Sequence, residues 1–408
     1  MKIAIMHYAS PPNVGGVESV LAHHALLLAN AGHNVTILAG RGEVFDDRIP
    51  VRILPRLDSR HAEVIKIKKN LDTGKVTDEF KALSEQIKLD LLKELQEFEL
   101  LIAHNVASLH KNLALTAALN QVYQIPCFPH LILWHHDLAW TTQRYRPEMH
   151  DGYPWDLLRS NWAGATHVTI SKVRRKELSD LLSIPAESVH VIPNGVDLRT
   201  FFKLEPRTIQ LIEQLNLGKA DPLLLLPVRL TPRKNIELAL RVLAELRMDY
   251  PNAMLLVTGP EGSHNPANAA YKQKLLQLRG ELALQGAAHF LAELADETLP
   301  DAIITDFYRL ADALIFPSYE EGFGIPIIEA GVNSIPVFCA DIPVLRELGS
   351  EDANYFGTQA EPGSIAKQIA SRLIGSATSR LARRAKHGYT WDSIYRLHIE
   401  PLIQEVMV

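Results

Sequence analysis

Residues 313–331 read A-L-I-F-P-S-Y-E-E-G-F-G-I-P-I-I-E-A-G. The run Ala313–Phe316 has the length and apolarity of a strand buried on both faces. The glycine-framed turn after it opens a helix, and Pro326 suits the first helical position, where a missing N–H costs nothing. Gly322 and Gly324 would let the backbone approach a ligand, and free amides at Phe323, Gly324 and Ile325 would face anything negative or hydroxylated. Glu321 lies in the turn and Glu329 about one helical turn inside. A turn with an acid on each side suits a polyhydroxylated, phosphate-bearing ligand. Taken alone, a plain strand–turn–helix connection with two solvated acids explains the stretch equally well.

The same unit recurs along the chain. Strands are expected at Lys2–Met6, Val35–Ala39, Leu100–Ala103, Leu131–Trp134, His167–Ile170 and Val189–Ile192, with helices at Glu18–Ala31, His110–Tyr123 and Lys172–Leu182 between them. A second set begins near residue 205, with strands at Leu223–Pro227, Ala253–Thr258, Ala313–Phe316 and Pro336–Cys339. Its helices are expected at Ile236–Tyr250, Tyr271–Gln285, Ile327–Val332 and Ser364–Ile374. Such alternation argues for parallel βαβ units. We expect an α/β protein with two Rossmann-like, doubly wound parallel-sheet domains facing a central cleft. Pro193-Asn194-Gly195 is a strong turn signal and marks the hinge at Asn194 and Gly195. The domains are placed at 1–200 and 201–388, with a terminal helical segment, 389–408, that packs back on the first.

The chain has 408 residues, more than one core usually serves. A hydrophobic content of 47% and a formal charge of −5 suit a globular protein with no nucleic-acid partner. The two cysteines, Cys127 and Cys339, are far apart, so neither a disulfide framework nor a metal-binding pair is expected. No apolar run is long enough to span a bilayer. A cytoplasmic location is the expectation, with peripheral contact at the inner membrane face left open. The lysines of Arg60–Lys93 are mixed with acids and read as a solvated amphipathic helix.

Other motifs fall just after expected strands, where open α/β sheets bind ligands. The first turn, Y-A-S-P-P-N-V-G-G-V-E-S (8–19), lacks the spacing of a dinucleotide fingerprint or a P-loop, yet Gly16 could bring amides to a phosphate. In V-R-L-T-P-R-K-N (228–235), Arg229 and Lys234 flank a proline turn and could converge on one pair of phosphates. L-W-H-H-D-L (133–138) ends a strand with His136 beside Asp137; acid–base or hydrogen-bonding work favours His136 over His135, since strand alternation sends the two imidazoles to opposite faces. V-T-G-P-E-G (257–262) places Gly259 and Glu261 where a nucleoside could lie, or simply makes a turn. No histidine shows metal-ligand spacing.

Together these segments resemble the retaining, nucleotide-sugar-dependent glycosyltransferases of family 4, which have the GT-B architecture. The E-x7-E pattern stands at Glu321 and Glu329, R-x4-K at Arg229 and Lys234, and P-x-x-G-G-x-E at Pro12–Glu18. The resemblance implies a hexosyltransferase that moves glucose or mannose from a nucleoside-diphosphate sugar to a hydroxyl acceptor, with retention and without a metal or other cofactor. UDP-glucose or GDP-mannose is the implied donor, with ADP-glucose as a further option, and a sugar or sugar derivative is the implied acceptor. Arg229, Lys234 and Gly16 would hold the diphosphate, Glu329 the ribose, and Glu321 with Gly322, Phe323, Gly324 and Ile325 the donor sugar. Glu321 and His136 would be the catalytic pair. Gly15, Asp137 and Trp140 would lie on the acceptor side. Trp140–Trp155 is expected to select the acceptor, and Gly262–Ala269 the donor. A nucleotide-sugar epimerase or a non-catalytic nucleotide-sugar binder on the same fold remains the alternative.

Overall fold

The computed structural model describes residues 1–12, 15–126, 128–261, 266–294 and 299–407. Residues 262–265 of the loop expected to select the donor, and Cys127, lie outside the described residues. The chain divides into two compact units, Met1–Gly195 with Trp391–Val408 (unit 1) and Val196–Thr390 (unit 2). These boundaries differ from the expected 200/201 and 388/389. The reason is a local pairing: the Val196 N–H donates to the Tyr389 carbonyl at 2.7 Å, and Val196 bridges Thr390 in parallel. Next to this bridge, Gly195 lies against the Trp391 ring, where a β-carbon would meet Cδ2 at 2.6 Å.

Unit 1 is a seven-stranded parallel sheet of β1 (Lys2–His7), β2 (Asn34–Ala39), β3 (Val51–Ile53), β4 (Leu100–His104), β5 (His130–His135), β6 (Thr166–Thr169) and β7 (Val189–Val191). The strand order is β3-β2-β1-β4-β5-β6-β7. Alternate residues feed two cores. Ala4, Met6, Leu101 and Leu133 face one; Ile3, Ile5, Ile102 and Ile132 face the other. The first is covered by helices Ala62–Leu71, Asp78–Glu94 and Leu113–Tyr123, the second by Gly16–Asn30 and the terminal run from Trp391.

The charged stretch Arg60–Lys93 is thus two helices whose apolar stripes close a core. In Asp78–Glu94, capped by the Thr77 side chain accepting from the Phe80 N–H, Phe80, Leu83, Ile87 and Leu91 are all buried. Each such side chain contributes about 1.5–3 kcal/mol of burial. The apolar face is used on the sheet, and among the described residues no helix is long and apolar enough to cross a membrane.

Unit 2 is a six-stranded parallel sheet of β8 (Leu223–Leu226), β9 (Met254–Val257), β10 (Ala288–Phe290), β11 (Ala313–Phe316), β12 (Val337–Ala340) and β13 (Asn354–Phe356), in the order β10-β9-β8-β11-β12-β13. Every residue of β8, β9, β11 and β12 is buried. The strands that the sequence did not announce, β3, β10 and β13, are all three-residue edge strands. Three residues carry no readable period, so pairing alone decides them. The helix expected at Tyr271–Gln285 runs Pro266–Glu281.

Candidate active site

In each unit the sheet grows to both sides of its first strand, so that β1 adjoins β4 and β8 adjoins β11. Loops leaving the carboxyl ends at such a switch diverge and leave room for a ligand.

In unit 2 the two loops at the switch carry the R-x4-K and E-x7-E residues. After β8 the chain makes one tight turn, Pro232–Lys234, and stops at Asn235 with φ 51°, a left-handed conformation that asparagine tolerates. The Asn235 side-chain amide donates to the carbonyls of Pro317 and Thr358, each at 3.2 Å, and the Tyr319 N–H donates to the Arg233 carbonyl at 2.8 Å. The loops are therefore tied together, and Lys234 is turned inward. Its Nζ lies 2.5 Å from Glu321 Oε1 and 5.6 Å from the centre of the Phe316 ring. Arg229 is exposed and pairs with no carboxylate among the described residues.

Helix Ile325–Val332 starts with Gly324 as its N-cap at φ 101°. Pro326 is therefore its second residue rather than its first, because Ile325 already takes the helical conformation. The N–H groups of Phe323, Gly324 and Ile325 meet no acceptor among the described residues. Glu329, one turn in, accepts from the Tyr308 hydroxyl at 2.6 Å. Burial first, and this carboxylate second, push the Tyr308 hydroxyl well above its ordinary pKa. The glycines divide by cause. A β-carbon at Gly324 would strike Leu345 Cδ2 at 2.6 Å, and one at Gly259 would strike the Val228 carbonyl oxygen at 2.1 Å, so the fold demands both. A β-carbon at Gly322 would meet nothing within 4 Å. Glu261 pairs its carboxylate with Lys272 and bridges Leu230 through the backbone.

In unit 1 a cavity of about 440 Å³ opens at the switch and is lined by His7, Tyr8, Gly16, Asn105, His136 and Asp137, among others. Asn105 holds it together. At φ 57° it donates its N–H to the Trp134 carbonyl at 2.8 Å, and its Oδ1 accepts from the N–H groups of His136 at 2.8 Å and Asp137 at 3.3 Å. His136 Nε2 shares a hydrogen bond with His104 Nδ1 at 3.0 Å. Burial, helped by the neighbouring His7, holds the His136 imidazole down at about 3, so it is neutral at physiological pH. A neutral ring suits hydrogen bonding more than proton uptake. His7 Nδ1 donates to the His104 carbonyl at 2.9 Å, since a carbonyl can only accept, which leaves Nε2 as an acceptor. Gly16 would carry a β-carbon into open space among the described residues.

Several expected residues lie elsewhere. Trp140 does not line the cavity. It is buried in the core, its indole N–H donates to the Trp155 carbonyl at 3.1 Å, and Arg159 stacks 4.1 Å from its ring centre. An aromatic in this position satisfies its polar edge inside the fold and has none left for a ligand. Gly15 is the N-cap of helix Gly16–Asn30 and Gly195 packs on Trp391, whereas Asn194 does line the cavity. His135 turns away and bonds His167 at 3.1 Å. The sequence reading missed His7, Tyr8, Asn105 and a set of cations on the same rim. The strand-end rule that picked His136 applies equally to His7; nothing local marks Asn105. A grouping with metal-like spacing, Asp72, His110 and Glu148, already holds the Lys68 ammonium, 2.6 Å from Asp72 and 2.7 Å from Glu148.

Known proteins share this pattern. The description "Glycosyltransferase Family 4" fits residues 14–200, and "Glycosyl transferases group 1" fits residues 208–389. The chain belongs to this family of glycosyltransferases. A mannosylglucosylglycerate synthase of Petrotoga mobilis is 26% identical over 66% of this chain and 66% of its own length. A D-inositol 3-phosphate glycosyltransferase of Kineococcus radiotolerans is 29% identical over 57% of this chain and 55% of its own. An MMP alpha-(1->4)-mannosyltransferase of Mycolicibacterium hassiacum is 24% identical over 97% of this chain and 96% of its own. The first two matches therefore span less than two thirds of those relatives. The R-x4-K and E-x7-E residues fall in the group 1 part, and the glycine turn and the histidine cavity in the family 4 part.

Proposed function

We propose that the protein is a retaining hexosyltransferase that moves glucose or mannose from a nucleoside-diphosphate sugar to a hydroxyl acceptor. The observation that carries this reading is the convergence, at one switch point, of an exposed Arg229, a tethered Lys234 and a helix N-terminus with unused N–H groups. Relatives named mannosylglucosylglycerate synthase, D-inositol 3-phosphate glycosyltransferase and MMP alpha-(1->4)-mannosyltransferase support the class of reaction.

Arg229 would grip the donor diphosphate bidentately while Lys234, steadied by Glu321, adds a point charge. Glu329 would take the ribose hydroxyls beside Tyr308. Glu321 and the amides of residues 322–325 would hold the sugar. The bond from the anomeric carbon to the phosphate oxygen breaks, and one from the acceptor oxygen forms on the same face. The acceptor proton passes to the departing phosphate. Charge that develops on that phosphate is met by the fixed cations and the helix N-terminus, so no metal is required of the mechanism. His136, neutral and pinned by Asn105, would hydrogen-bond near the reacting carbon. Among the described residues nothing packs where a Gly16 β-carbon would lie, and Gly16 is assigned to close backbone approach to phosphate.

The test is thermal unfolding in UDP, GDP and ADP, with and without their glucose or mannose esters, beside Arg229→Ala. A ligand at about 100 times its dissociation constant adds about 2.7 kcal/mol. One nucleotide should raise the midpoint in the native chain and not in the variant. Stabilisation by none of them overturns the reading.

A further inference from the structure

The rim of the unit 1 cavity carries a charge pattern that the donor reaction does not use. Arg41, Arg60, Lys111 and Arg144 line it against two acids, Glu18 and Asp137. The chain as a whole runs the other way, with 42 cationic and 47 acidic side chains. Each cation comes from a different loop, following β2, β3, β4 and β5 in turn, so the sheet gathers them from distant parts of the sequence.

Asp137 lies 3.9 Å from the Arg174 guanidinium, and the Glu18 side chain is folded back over Gly15 at the start of its helix, so the four cations outnumber the two acids on the rim. Arg41 is held by Asp58. Arg60, Lys111 and Arg144 have no carboxylate partner among the described residues. Arg144 is also oriented, its guanidinium 4.6 Å from the Tyr145 ring centre, which leaves its planar fork presented for a bidentate contact. The imidazoles of His7 and His136 on the floor add no charge, because burial holds both in the neutral form, so the charge of the site is that of its rim. A volume of about 440 Å³ is of small-molecule size.

We infer that this cavity binds an anionic group, a phosphate ester or a carboxylate, and that the acceptor of the reaction proposed above therefore carries one. The inference on the acceptor rests on that reading; the anion site does not.

The test is the unfolding midpoint of the full chain in low salt with inorganic phosphate, glycerol 3-phosphate, glucose 6-phosphate, glucuronate and, as neutral probe, glucose. The variants are Arg144→Gln, the double Lys111→Gln/Arg144→Gln and, as a control for lost charge, Arg384→Gln on unit 2. The anions should stabilise and glucose should not, and the larger response, from the phosphates or from glucuronate, identifies the anionic group. Arg144→Gln should weaken that binding about tenfold, the size of one charge-assisted hydrogen bond, and the double variant more, with Arg384→Gln unchanged. No stabilisation by any anion overturns the site, as does stabilisation that survives the double variant or is lost in Arg229→Ala instead. Stabilisation by phosphate esters with no transfer from any nucleotide sugar would keep the anion site and reject the transferase reading. Transfer to neutral sugars alone, unaffected by Arg144→Gln, would do the reverse.

Discussion

Unit 1 and unit 2 are wound in the same order around their first strands, yet they line the switch point with different chemistry. In unit 1 the β1–β4 switch is walled by buried imidazoles, with His7, His104 and His136 linked by hydrogen bonds over a cavity. In unit 2 the β8–β11 switch carries a Lys234–Glu321 ion pair on two tied loops, with Arg229 and Glu329 exposed beside it. The topology decides where a ligand can sit. The side chains at the strand ends decide what kind, and here they divide into a neutral, hydrogen-bonding floor and a charged clamp.

The largest effect expected of this contrast is in unit 2. Lys234→Met leaves Glu321 nearly buried without its cation and should cost about 3 kcal/mol in urea unfolding. Replacing both partners, Lys234→Met with Glu321→Leu, should recover much of that loss. A double variant no more stable than the single one would mean that the pair does not act as a unit.

Next is the imidazole floor. His136→Ala should lower the turnover rate about 100-fold, the effect of removing one aimed hydrogen-bond donor. Because its pKa is held at about 3, titration of His136 should leave no inflection in the rate between pH 5 and 8. A rate limb in that range lost in His136→Gln would show that the ring takes up a proton after all.

Acid should then separate the units. His7, His24, His104, His135, His136 and His167, all in unit 1, are held below their ordinary values chiefly by burial, whereas in unit 2 only His289 shows such a lowering among the described residues. Between about pH 6.5 and the folded values, the unfolded chain binds protons that the folded chain refuses, so stability falls as pH falls. All 5 tryptophans lie in unit 1 and report on it alone. From pH 7 to pH 5 the fluorescence midpoint should drop several degrees, and more than the midpoint followed by backbone dichroism. Equal drops would break the contrast.

The smallest effect is at Gly16. With open space where a β-carbon would go, Gly16→Ala should change stability by less than about 0.5 kcal/mol while raising the donor KM. Gly259→Ala, aimed at a carbonyl 2.1 Å away, should destabilise outright.

Much of this was legible beforehand. The long buried strands, such as Leu223–Leu226 and Ala313–Phe316, declare themselves by apolar runs, and the motif residues follow them directly. Trp140 misled because an aromatic beside a candidate histidine looks like a ligand platform, and only its bond to Trp155 shows that it belongs to the core. Asn105 was invisible because its role lies in a left-handed backbone and in bonds to residues about thirty positions away.

The order of strands and helices, the family, and the identity of Arg229, Lys234, Glu321 and Glu329 were set by local pattern: apolar period, glycine turns and charge spacing all act within a few residues. What the tertiary structure decided was proximity. It tied the 228–235 loop to the 317–324 loop through Asn235, joined the terminal helix to unit 1, and drew Arg41, Arg60, Lys111 and Arg144 to one rim. A parallel sheet places the ends of sequence-distant strands side by side, and no local pattern encodes which side chains will meet there.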